Sequence, residues 1–250
     1  MPQFATFEEA EKAGSYNNKR IAEVVSLKTR KYIHNIPVVL KEKQDIQNLL
    51  VINDVLNHFK DQKLTIVEIG GACGAFYFFV SKFFPDQIKQ WEIVETKEMV
   101  EAAKKNAYSD NILNFSENID IVFQNSNSPV CIAQGAIQYV PDPLAFLSKL
   151  LNSNYSFIYI SRLPVNLNLD TAVITIQPSQ LRDNGPGSID ISDEIVNVAS
   201  TILTKKEFYK VIEESKYKIR FGFEESDSYS MTFPNKEVHL QNIGVLLTPK

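Results

Sequence analysis

The sequence predicts an α/β fold: a mostly parallel sheet with crossover helices, a helical cap ahead of it and an antiparallel hairpin at its edge. Three observations carry this. From Leu64 onward, short apolar runs alternate with segments of helical periodicity, which is the rhythm of strands joined by crossover helices. Before Leu64 the apolar residues recur at helical spacing only. The chain closes with "YKIRFGFEE" and "EVHLQNIGVLLTP", two extended runs without a helix between them.

Taken in order, "NNKRIAEVVSLKTRKYI" places Ile21, Val24, Val25 and Leu27 on one helical face. "KQDIQNLLVINDVLNHF" does the same with Ile46, Leu49, Leu50, Ile52, Val55, Leu56 and Phe59. "LTIVEIG" reads as the first strand, and "AFYFFVSKFF" as a helix closed by Pro85. A strand at "KQWEIVE" and a helix at "KEMVEAAKKNA" follow, then a weaker strand near "NILNFSE" and one at "VCIAQG". Asp142 and Pro143 suit the N-cap and first position of a helix over Leu144 to Leu151, the Asp accepting from an orphan N–H and the Pro having none to lose. After the strand "YSFIYIS", the stretch from Arg162 to Ser200 holds "TAVITIQP", which suits an extended segment, and "RDNGPGS", which suits a turn. At about forty residues it is long for a connection, and long connections are often functional. "TKKE" from Thr204 to Glu207 fits a capping box opening the last helix.

Composition removes some functions. Twenty-six Lys and Arg stand against 30 Asp and Glu, a formal charge of −4, so no basic surplus exists to neutralise a nucleic-acid backbone. The N-terminal "MPQFATFEEAEKAG" lacks the basic start and apolar core of a signal peptide. The densest apolar run, "FYFFVSKFF", is about half the length that spans a bilayer. Only two cysteines, Cys73 and Cys131, occur, each in an apolar segment. These features predict a cytoplasmic protein with reduced thiols and no membrane span. No His, Cys or carboxylate cluster has metal-ligand spacing, so no metal is expected.

The chemistry concentrates in "LTIVEIGGACGAFY". Gly70, Gly71 and Gly74, with Ala72 between them, permit a sharp turn and a close approach of backbone to ligand, and the helix that follows aims its N–H groups there. The dinucleotide fingerprint does not fit, because glycine at 72 and 75 is required and both are alanine. Two acids carry more. Glu95, at the tip of the second strand, is placed to accept from ribose hydroxyls and is expected to be partly exposed until it does so. Glu68, just before the turn, would repel a pyrophosphate and welcome an ammonium. A ribose, an ammonium and a sulfonium without phosphate describe S-adenosylmethionine.

"VEIGGACG" with "WEIVE" downstream resembles the first motif and following acidic strand of class I methyltransferases, with Ala72 in place of the middle glycine. "AIQYVPDPLAFLSKLL" is similar to the segment after their fourth strand. More narrowly, the chain resembles a family of predicted methyltransferases from bacterial surface-polysaccharide gene neighbourhoods. The likeness runs through "FEEAEKAGSY", "VEIGGACGAFY", "AIQYVPDP", "RLP" at 162–164 and "ITIQP" at 174–178. The resemblance implies a Rossmann-like, seven-stranded, mostly parallel sheet that binds S-adenosylmethionine. It implies cofactor contacts from Glu117, where the adenine is often held, and from Gln134 and Gly135, beside the donor methyl. An exposed loop acid at 117 and packing residues at 134 and 135 are the alternative readings. Where the family pattern has an acid before the Arg of the fifth-strand motif, this chain has Ser161.

The organisation expected is a helical cap over 1–62 and a methyltransferase domain over 63–250, with a lid-like insertion at about 162–200. The resemblance implies a small-molecule or sugar acceptor in surface-glycan biosynthesis. Tyr139 and Arg162 are substrate-side candidates by topology. His34 joins them because an N-terminal cap can fold over a cofactor. No residue is identified as a general base. A protein that binds the cofactor without turning it over, as a partner in glycan assembly, is the rival reading. Cys73 reads as a turn residue, since nothing near it in sequence would activate a thiol.

Overall fold

The structure is a computed structural model that describes residues 1–60, 62–106, 108, 111–124, 129–187 and 194–250. The chain opens with α1 (Phe7–Ala13), α2 (Lys19–Ile33) and α3 (Lys43–Phe59). Alternation follows: β1 (Leu64–Ile69), α4 (Ala75–Phe83), β2 (Ile88–Val94), α5 (Lys97–Lys105), β3 (Leu113–Ser116), α6 (Asp120–Phe123), β4 (Val130–Gln134) and α7 (Pro143–Leu151). Then come β5 (Phe157–Asn166), β6 (Val173–Gln180), β7 (Ile195–Thr204), α8 (Lys205–Glu213), β8 (Tyr217–Glu224), β9 (Tyr229–Phe233) and β10 (Lys236–Pro249). Ten strands are thus present among the described residues where seven were expected. Seven of them, β1 to β5, β8 and β10, form the main path of the sheet, and β6, β7 and β9 branch from it.

The chain divides into two compact units. One, the glycine-turn unit, comprises Asn17–Ile132 and Gln180–Glu194. It carries the strand order β3-β2-β1-β4, and both β1–β2 and β2–β3 are parallel pairs, as the crossover helices require. Parallel strands covered on both faces are apolar throughout, and β1 is buried at every position except Thr65. Helix α2 begins at Asn18, whose side chain accepts from the N–H groups of Arg20 and Ile21, and it buries Ile21, Ala22, Val24 and Val25.

The other, the hairpin unit, comprises Met1–Tyr16, Ala133–Ser179 and Ile195–Lys250. Its strands β5, β10 and β8 are neighbours in that order, and β10 is antiparallel to both flanking strands. The edge hairpin expected from β8 and β10 is interrupted: β9 intervenes and pairs with β10 from Lys236–Phe233 to Leu240–Tyr229. Asp142 caps α7 by accepting from the Ala145 N–H with Pro143 next to it, and Thr204 with Glu207 forms the capping box of α8. Helix α1 lies along β7, where the Ala199 N–H donates to Gly14 O and a Cβ at Gly14 would fall 2.3 Å from Asn197 O. Only a glycine permits that approach.

The 162–200 segment is mostly strand: its first residues complete β5, its middle forms β6, and its end begins β7. Residues 188–193, including the end of the "RDNGPGS" run, lie outside the described residues. The short 3-10 turn Leu181–Asp183 is tied to α2 by a buried lysine, because Lys28, 1% exposed, donates from Nζ to Arg182 O at 2.6 Å. Burial lowers the Lys28 pKa below its ordinary value, against an opposing pull from Asp183.

This gives a pH dependence with a definite sign. Between the lowered folded value and the ordinary lysine range near 10.4, the unfolded chain holds more protons on Lys28, so its contribution to stability rises with pH. In Lys28→Met that contribution is gone. Urea unfolding of both proteins from pH 7 upward should show wild-type stability gaining on the variant as pH rises. A constant difference would place the lysine in water.

Candidate functional site

The turn after β1 is built from backbone conformations that few residues adopt. Gly70, Ala72 and Gly74 all have positive φ, at 68°, 51° and 83°. Gly71 is required for a different reason: a Cβ there would sit 2.5 Å from Cδ of Glu68. The turn closes on itself and on β2. The Gly70 N–H donates to Val94 O at 2.9 Å, and the Gly74 N–H to Gly71 O at 2.9 Å. The Ala72 N–H donates to Oε1 of Glu95 at 3.1 Å.

Glu95 is 8% exposed, so the expected partial exposure is not found. The reason is that its carboxylate already has partners in the protein: Ala72 N–H on one oxygen and its neighbour Thr96 N–H on the other, at 2.7 Å. Burial raises the Glu95 pKa above the ordinary carboxylate range, while the backbone N–H groups of Thr96 and Ala72 and the Thr96 side chain pull it partly back. A carboxylate offers about four acceptor positions. Two are filled here.

Glu68, 2% exposed, accepts from the Trp91 indole Nε1 at 2.7 Å. The strand register brings the two together, since Ile66 faces Trp91 and Glu68 lies two residues on. Trp91 was not singled out in the sequence, where it reads as one apolar position of β2. Glu117 is exposed one residue beyond Ser116, whose carbonyl accepts from the Glu95 N–H at 3.0 Å. It therefore stands at the same carboxyl edge of the strands as Glu95. Burial pushes the Cys73 thiol up to about 12, which leaves it protonated and unreactive. His34 is exposed at the C-cap of α2.

In the hairpin unit, Gln134, Gly135 and Arg162 come together. Gln134 ends β4 and is 7% exposed; its carbonyl accepts from Nη2 of Arg162 at 2.9 Å. Gly135, at φ 63°, donates its N–H to Ser161 O and lies under the guanidinium, where a Cβ would be 3.4 Å away. Arg162 itself has φ 52°. The cause is a β-bulge: Leu163 pairs with Ile243 and Ile160 with Val245, so Ser161 and Arg162 together face the single residue Gly244. Glu225 Oε2 accepts the Arg162 backbone N–H at 2.5 Å. The bulge holds Arg162 exposed although its strand is otherwise buried.

Tyr139, half-buried in a 3-10 turn, donates its hydroxyl to Gln177 Oε1 at 3.1 Å. Its ring stacks on Tyr16, with centroids 5.3 Å apart and planes 12° from parallel. Tyr16 and Gln177 were not singled out in the sequence, yet each lies inside a quoted motif, "FEEAEKAGSY" and "ITIQP".

No protein-family model matches the chain, and no curated protein matches it in sequence. Solved structures do. A crystal structure of an S-adenosylmethionine-dependent methyltransferase from Clostridium acetobutylicum aligns over 88% of this chain and 96% of its own, with TM-score 0.51 at 10% identity. Magnesium protoporphyrin IX methyltransferase from Synechocystis, with SAH bound, aligns over 93% and 98%, with TM-score 0.49 at 11% identity. The first likeness shows the fold, which is the Rossmann-like α/β architecture of class I methyltransferases.

Two substitutions test the turn. Ala72→Gly relieves a left-handed alanine, a gain of about 1–2 kcal/mol, against an unfolded-state entropy term of about 0.4–1 kcal/mol, so a small net stabilisation is expected. Gly71→Ala displaces the Glu68 carboxylate from Trp91 and should destabilise by about 1–3 kcal/mol. Trp91 is the sole tryptophan, so its fluorescence reports the second change directly. An unchanged emission and melting point in Gly71→Ala would contradict the geometry.

Proposed function

We propose that this protein is a cytoplasmic S-adenosylmethionine-dependent methyltransferase acting on a small-molecule or sugar acceptor of surface-glycan biosynthesis. The observation that carries the cofactor assignment is the pairing of a tight glycine turn with two buried carboxylates, Glu68 and Glu95. Three turn N–H groups, of residues 70, 72 and 74, are already engaged within the protein, two by backbone carbonyls and one by Glu95. A pyrophosphate needs the opposite arrangement, open N–H groups and no facing acid.

In this reading the remaining acceptor positions of Glu95 take the ribose hydroxyls, and Glu68 supplies the negative potential that an ammonium favours. The turn of Gly70, Gly71, Ala72 and Gly74 brings backbone close to the ligand. S-adenosylmethionine supplies a methyl group on a sulfonium. Because charge is neutralised in that displacement, the protein's work is to align the acceptor and exclude water. Residues 1–62 are taken as a cap and 162–200 as the acceptor-side insertion, since Arg162 and Gln177 lie within the latter.

Calorimetry and thermal melts with S-adenosylhomocysteine and with NADH test the assignment. S-adenosylhomocysteine at a hundred times its Kd should stabilise the protein by about 2.7 kcal/mol, and NADH should leave it unchanged. Glu95→Ala should weaken that binding by about 1.5–3 kcal/mol. It should also lower the melting point, because Ala72 and Thr96 lose their acceptor. A melt shifted by NADH and not by S-adenosylhomocysteine would refute the reading. Binding without methyl transfer to any acceptor would favour a non-catalytic partner in glycan assembly.

A further inference from the structure

The connector between α2 and α3, in the glycine-turn unit, is apolar where a loop is ordinarily polar. Residues 34–42 read "HNIPVVLKE", with Ile36, Pro37, Val38, Val39 and Leu40 in succession. Ile36, Pro37 and Leu40 are half-buried, but Val38 and Val39 are each 70% exposed. No other large apolar side chain among the described residues is more exposed. A single exposed valine is ordinary. Two in succession are different in kind, because neighbouring side chains point in different directions. Where both are exposed, the backbone that carries them stands clear of the protein on more than one side.

The apolar exposure continues into α3. Lys43, Ile46 and Leu50 follow one another at helical spacing, and Ile46 and Leu50 are both more than half exposed. The opposite face of the helix buries Val51, Ile52, Val55 and Leu56 without them. The charges around the valines run against those of the chain, which is acidic as a whole. Lys31, in the last turn of α2, Lys41 and Lys43 are exposed, and the acids among them are exposed Glu42 and half-buried Asp45.

Whatever covers this tip must accept apolar groups on more than one side and carry negative charge. The surface of an anionic bilayer meets both requirements, since lysine stems can lie along apolar surface while their ammonium groups reach the headgroup phosphates. A second copy of the chain meets neither. A two-fold contact sets the same patch against itself, which would bring Lys31, Lys41 and Lys43 of both copies to one interface.

We propose that the Val38–Val39 tip, with the adjoining face of α3, docks the protein on an anionic lipid surface. The two valines enter the boundary between headgroups and acyl chains, and the three lysines pair with lipid phosphates. No helix among the described residues is long and apolar enough to cross a membrane. The apolar groups are few, so the contact is reversible and needs the electrostatic part as well. The proposal does not rest on the methyltransferase reading.

The test is sedimentation of the full chain with vesicles of phosphatidylcholine alone and of phosphatidylcholine with about a third phosphatidylglycerol. The protein should sediment with the second and remain in solution with the first, and salt at about 0.5 M should release it. Val38→Ser with Val39→Ser replaces only exposed side chains, so the fold should be kept while the bound fraction falls by about fivefold or more. Lys31→Gln, Lys41→Gln and Lys43→Gln together should do the same. An environment-sensitive dye on Val39→Cys gives a second readout, because Cys73 and Cys131 are both buried. Its emission should rise and move to the blue with anionic vesicles and stay unchanged with neutral ones.

A protein that ignores anionic vesicles overturns the proposal. So does binding that the valine substitutions leave unchanged, which would be a matter of charge alone. A dimer in gel filtration that the valine substitutions dissolve would also overturn it, because a second copy would then be what covers the tip.

Discussion

The Glu95 carboxylate, held between the N–H groups of Ala72 and Thr96, is the contact on which the glycine-turn unit depends. It joins the loop after β1 to the loop after β2 at the carboxyl edge of the strands. Without it Ala72 would have no reason to stay left-handed. Hydrogen bonds to a charged acceptor contribute about 1.5–3 kcal/mol each, enough to offset the backbone strain of one alanine. The same contact gives the buried Glu95 its partners, so that the pKa raised by burial is pulled partly back, and it explains why the turn has few N–H groups left for a phosphate. Glu68 supports it from below: its carboxylate, gripped by Trp91, fills the space that a side chain at Gly71 would need.

The hairpin unit is organised by a different constraint, a single extra residue in β5. Because Ser161 and Arg162 share one partner, the strand alternation breaks there and Arg162 turns outward. Gly135 leaves room for its guanidinium, and the Gln134 carbonyl fixes one end of it. In the same unit the N-terminal segment and strand β6 each bring one side chain, Tyr16 and Gln177, to Tyr139 in the turn after β4. Left-handed non-glycine residues occur at Ala72 in the turn after β1 and at Arg162 in this bulge, and also at Lys60 and Asp86.

Periodicity and capping made most of the fold legible in the sequence. The parallel strands, their crossover helices, the Asp142 cap and the Thr204 capping box are local features, written in residues close together in the chain. What was not legible depends on partners distant in sequence. Trp91 meets Glu68 only through strand register, and Tyr16 reaches Tyr139 across more than a hundred residues through the packing of α1 on β7. The bulge at Arg162 has no signature in "SRLP", because it arises from pairing with Gly244. β9 was missed because "YSMTF" is short and half exposed, and Lys28 because a lysine in a helix reads as solvated until its carbonyl partner is known. Glu68 and Glu95 stand out in the sequence for a plain reason: a charge at the end of an apolar strand is out of place unless it has partners, and both acids are buried against protein donors.

The most direct test of the account is an NMR titration of the Glu95 carboxyl carbon, identified by its loss in Glu95→Gln, in the free protein and with saturating S-adenosylhomocysteine. In the free protein the group should titrate above the ordinary carboxylate range, because burial opposes its charge. Ribose hydroxyls donating to the carboxylate favour the charged form, so the bound protein should titrate lower, and affinity should rise as pH passes through the free-protein value. A Glu95 that titrates in the ordinary range, or whose titration is the same with and without S-adenosylhomocysteine, would contradict the assignment of this carboxylate as both the staple of the turn and the anchor of the cofactor.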